Sequence, residues 1–156
     1  MIAHLASRSE VSLVSWDEAA PGFHIEAIGK INQPVVAVFT EPSVRYVGSH
    51  EGCGCGFRNV WGALDGDSRT MTPEEFRQGE PEDPDVASST AALVKLLRSV
   101  VERDGRAEVY ACWDGDQAYP AVDSKVISLA ELSAERFFLM ERRLIIVEAW
   151  GSAPEA

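Results

Sequence analysis

The chain has 156 residues, 46% of them hydrophobic and 25% charged, and carries a formal charge of −11 from 25 acidic against 14 basic side chains. That length suits one domain with its own apolar core, and the composition is not that of a disordered segment. The acidic excess disfavours nucleic acid and anionic membrane as partners, because phosphate contacts need lysine and arginine.

Residues 1–10 lack the basic start and apolar middle of a secretory leader, and the longest aliphatic run, Leu144-Ile145-Ile146-Val147, is far too short to span a bilayer. A cytoplasmic location without membrane contact is expected. Residues 10–16 alternate well enough for a strand, and Ser15-x-x-Glu18 has the spacing of a capping box, opening a short helical turn that ends at Pro21. Phe23, Ile25 and Ala27 alternate with His24, Glu26 and Ile28, which predicts a strand with His24 on an exposed polar side. After Pro34, the run Val35-Val36-Ala37-Val38-Phe39 predicts a central strand, turned by Glu41-Pro42-Ser43 into a partner over 44–47.

Between Trp61 and Thr90 the acids Asp65, Asp67, Glu74, Glu75, Glu80, Glu82, Asp83 and Asp85 face only Arg69 and Arg77, and Pro73, Pro81 and Pro84 interrupt any long element. The expectation is an acidic, partly mobile surface connector with at most one helical turn near 73–77, a candidate lid. Asp83-Pro84 is a helix start, Leu93, Leu96, Leu97, Val100 and Val101 recur at helical steps, and Gly105 is a stop. Residues 106–113 alternate as a strand, Asp114-Gly115 is a turn, and 122–127 is the expected returning strand. Ser128-x-x-Glu131 opens a short helix over 129–133, residues 137–140 and 144–149 form a last strand or hairpin, and 151–156 should fray. The predicted fold is a single α+β domain over 1–150. It has a mostly antiparallel sheet of hairpins, covered on one face, packed against one long amphipathic helix and a short helix.

Unusual chemistry concentrates in Gly48-Ser49-His50-Glu51-Gly52-Cys53-Gly54-Cys55-Gly56-Phe57-Arg58, which holds four of the 12 glycines and two of the 3 cysteines. Glycines at alternate positions imply a backbone that needs positive φ or close approach by another group. Three cysteines cannot all pair within the chain, and Cys53 and Cys55, separated by one residue, are poorly spaced for an unstrained bridge, so no secreted disulfide framework is indicated. His50, Cys53 and Cys55 with Cys112 make a donor set suited to zinc. The amides at Gly52, Gly54 and Gly56 with Arg58 suit a small anion instead. A small binding domain using 48–58 for a metal ion or anionic ligand is therefore the leading reading. Two others stay open: an acidic interaction module of inhibitor or immunity type that meets a basic partner through 74–85, and a cysteine-dependent enzyme.

Overall fold

A computed structural model describes residues 1–62 and 67–150; Asp65 of the acidic connector and the tail expected to fray over 151–156 lie outside the described residues. Strand β1 (Ile2–Ser7), buried at every residue, is the spine of the fold. Strand β2 is His24–Ala27, β3 is Ser43–Gly48 and β4 is Asn59–Val60; β5 is Arg106–Cys112, β6 Asp123–Ser128, β7 Leu139–Met140 and β8 Arg143–Glu148. Six of them form one sheet in the order β2-β3-β1-β5-β8-β6, antiparallel throughout except where β6 runs parallel beside β8. Strands β4 and β7 make a separate, short parallel pair. The expected α+β class with a mostly antiparallel sheet, one long helix and a short one is the architecture observed.

Helix α1 (Pro73–Phe76) is one turn, closed by a capping box between Thr72 and Glu75. Helix α2 (Pro84–Asp104) starts where Asp83 accepts the Asp85 amide and stops at Gly105, whose φ of 84° is the left-handed conformation glycine adopts freely. Its apolar stripe, Leu93, Val94, Leu97, Val100 and Val101, packs with Ala3, Leu5, Val47, Val109 and Val147 of the first sheet face. Burying each large side chain stabilises the fold by roughly 1.5–3 kcal/mol.

The second face is covered as well, which corrects the single-layer expectation. The run 35–39, read as a central strand, belongs to a 3-10 helix over Lys30–Val38 that crosses this face and encloses Ile2, Ala6, Val44, Tyr110 and Cys112. Pro34 lies inside it and cannot donate to a ladder, and the central slot is already filled by β1. Strand β3 accordingly pairs with β1 and β2 instead of with 35–39.

Other local expectations give way to tertiary pairing. Residues 10–16 contribute only an isolated bridge from Val14 to Ile25. No helix follows Ser15; the chain turns where Asp17 Oδ1 accepts the Ala19 amide at 2.9 Å. The Ser128–Glu131 box does form, with Ser128 Oγ 2.6 Å from Glu131 Oε2, yet it closes turns and not a helix. Strand β6 does not return against β5, and β7 pairs with β4 instead of closing a hairpin with β8, while the last strand expected over 144–149 is present as β8. Among the described residues no helix is long and apolar enough to cross a membrane.

Candidate metal centre

The glycine- and cysteine-rich stretch leaves the end of β3 and folds back over the start of β1. A 3-10 turn at Gly54–Gly56 sits on that strand, with the Gly54 amide donating to Met1 O at 3.0 Å. A Cβ on Gly54 would meet the Ala3 backbone nitrogen at 3.0 Å, so this glycine is required by close approach of two backbones. Gly52 has φ of 75° and lies under the Trp16 indole, supplying the reversal that points Glu51 and Cys53 the same way.

The loop is wound around the buried Ser49 hydroxyl. It donates to Cys53 O at 2.7 Å and accepts the amides of Glu51 and Gly56 at 3.2 and 3.1 Å. Ring geometry of this kind holds a loop more firmly than its glycine content suggests. Its product is a cluster in which the ligand atoms of Glu51, Cys53 and Cys55 lie within 4.8 Å of one another. The Cys55 amide donates to Cys53 Sγ at 3.2 Å, and the Met1 nitrogen donates to Cys55 Sγ at 3.1 Å. Burial pushes the Cys53 thiol up to about 11, so at neutral pH it is protonated unless a cation stabilises the thiolate.

The structure brings Cys53 and Cys55 together and leaves His50 and Cys112 out of the group. His50 turns towards α2, where its amide donates to Ser89 Oγ at 3.2 Å and its Nδ1 lies 2.9 Å from the same hydroxyl. Cys112 is buried among the apolar side chains of the second sheet face, whereas Cys55 packs on the core of the first. Burial pushes the Cys112 thiol up to about 12. His50 Nε2 lies 4.0 Å from the Glu51 carboxylate, and Glu51 stands beside the two cysteines. Its alternation with the cysteines (Glu51-x-Cys53-x-Cys55) was the available signal, since curling the loop gathers every second residue.

The groups expected to hold an anion are engaged internally. Arg58 Nε and Nη2 donate to the two carboxylate oxygens of Glu82 at 2.6 and 2.7 Å, and Nη1 donates to Phe137 O at 2.9 Å and to Ala134 O. The amides of Gly52, Gly54, Cys55, Gly56, Phe57 and Arg58 likewise have acceptors within the protein. Arg58 therefore braces the loop against the chain beyond α1, and its guanidinium holds the Glu82 carboxyl below the usual carboxylate range. A cleft of about 230 Å³, lined by Cys55, Phe57, Phe76, Arg77 and Glu82, opens beside the cluster.

His24, expected on an exposed face, is 1% exposed and packs against Trp16 with ring centroids 4.8 Å apart. The exclusion arises because the loop and the 10–20 segment close over β2. No family model, curated protein or solved structure matches the chain. On its own geometry, then, this is a small α+β domain with a Glu/Cys/Cys group able to hold a metal ion.

Proposed function

We propose that the domain binds one zinc-type divalent cation through Glu51, Cys53 and Cys55. The observation that carries this reading is the mutual approach of three ligand atoms within 4.8 Å on a braced loop. Two sulfurs on one tetrahedral ion lie roughly 3.8 Å apart, given Zn–S distances near 2.3 Å, so small side-chain rotations suffice. Two thiolates and a carboxylate suit a borderline-soft ion far better than calcium or magnesium, which take oxygen ligands. The cation also supplies what the site lacks, since it stabilises the Cys53 thiolate that burial disfavours.

Three protein ligands leave a coordination position for water or a small ligand, the arrangement of sites that do more than hold a fold together. The test is zinc titration of the reduced protein against a chromophoric chelator. One equivalent should be taken up by the natural chain and by His50→Ala and Cys112→Ala, with uptake lost in Cys53→Ser and Cys55→Ser and weakened in Glu51→Gln, which keeps the side-chain shape and removes its charge. No uptake by the natural chain, or uptake undiminished in both serine variants, sinks the reading.

A further inference from the structure

We infer that Cys53 and Cys55 are also a thiol–disulfide exchange pair, closing to an intramolecular disulfide against a low-molecular-weight disulfide of the glutathione type. This rests on the same two sulfurs as the metal reading and makes the two states, metal-bound and oxidised, mutually exclusive.

Four observations support it. The sulfurs are already within 4.8 Å, and the Cys55 amide points at Cys53 Sγ. Gly54, between them, is the first residue of the 3-10 turn. A helical residue separates its flanking Cα atoms by roughly 5.5 Å, from the rise and radius of the helix, inside the disulfide range of about 4.4–6.8 Å. Cys55 is reachable, because it is only half-buried and lines the cleft beside α1. Cys112 is buried on the other face of the sheet and cannot compete.

The exchange balances without any further reactant. The Cys55 thiolate attacks one sulfur of the small disulfide, forming a mixed disulfide and releasing one small thiol, which takes up a proton. The Cys53 sulfur then attacks the Cys55 sulfur, passing its proton to the second small thiolate as that leaves, and the intramolecular bond forms. Two electrons pass from the protein to the small disulfide. Neither sulfur is afterwards an anionic ligand, so the cation is lost.

The test is the mass of the full, metal-free chain after incubation with oxidised glutathione. The expected product is lighter by two hydrogens and carries no adduct. The change maps to the peptide containing Cys53 and Cys55, reverses with dithiothreitol, and occurs equally in Cys112→Ala. Cys53→Ser should stop at a single glutathionyl adduct on Cys55. The oxidised chain should take up no zinc. A natural chain that keeps stable glutathionyl adducts, or free thiols throughout, overturns the inference while leaving zinc uptake to be judged by its own titration. Ring closure in a protein that never binds zinc would sustain the disulfide and remove the metal reading.

Discussion

At the scale of single residues, Gly48 decides how the loop meets β2. A Cβ there would lie 2.0 Å from Cε1 of the buried His24 ring, with no room to withdraw under Trp16. Gly48→Ala should therefore cost about 1–3 kcal/mol in urea unfolding, the usual range for forcing extra volume into a packed core. Gly29→Ala is the control, since a Cβ at Gly29 meets nothing within 4 Å. His4 is the other residue with a measurable signature. It sits on β1 between Tyr46 of β3 and Tyr110 of β5, is buried, and among the described residues neither ring nitrogen has a hydrogen-bond partner. Burial lowers its pKa from 6.5 to about 4. The unfolded chain thus takes up the proton first, so the stability linked to this group is complete above pH 6.5 and is lost as the pH falls towards 4. The gap corresponds to about 3 kcal/mol. His4→Phe should flatten the stability profile across that window, and an unchanged slope would show that the ring finds a partner when charged. Asp123, held at about 2 chiefly by Arg143, contributes lower on the scale: its share is present above 3.8 and lost as the pH falls towards 2.

At the scale of elements, the connector between β4 and α2 behaves less like a solvated acidic tether than its composition implies. Glu82 receives both Arg58 and Arg77, and the side chains of Glu82 and Arg58 are only 19% and 10% exposed. The carboxylate thus ties α1 and the residues after it to the loop that carries the cysteines. Glu82→Ala removes the acceptor of Arg58 Nε and Nη2 and should cost about 2–3 kcal/mol, somewhat below the figure for a fully buried pair. Neutralising the exposed Glu74 and Glu80 should change stability by no more than about 0.5 kcal/mol. Urea midpoints for the three variants check this ranking. Amide exchange across 73–77 should also quicken in Glu82→Ala alone, since a docked turn is released there. Exchange that is already fast in the natural chain would show that the pair does not dock the connector. The acidic face left for a basic partner is correspondingly smaller than the run of acids from 74 to 85 suggests.

At the scale of the whole molecule, the formal charge of −11 favours the approach of cations over anions at long range. Saturating zinc should raise stability by about 2.7 kcal/mol at a hundredfold excess over its dissociation constant, and a chelator or Cys53→Ser should abolish the gain. Thermal melts with and without zinc read this directly; coincident curves would count against zinc binding by the folded chain. The sequence by itself determined what depends on neighbours along the chain. The cap at Asp83, the stop at Gly105, the turn at α1, strands β2 and β5, and the loop in which chemistry gathers were all legible from residues a few positions apart. Only the tertiary structure decided the rest. Strand β1 is buried on both faces, so it shows no alternation to read, and once it occupies the centre the apolar run at 35–39 must cover the second face. The approach of Glu51 to both cysteine sulfurs is likewise tertiary. Ser89 on α2 captures the His50 imidazole, a contact 39 residues away in the chain that no local pattern encodes. Caps and turns are short-range energies written in adjacent side chains, whereas strand order and ligand sets depend on which distant surfaces meet first and leave no room for a second partner.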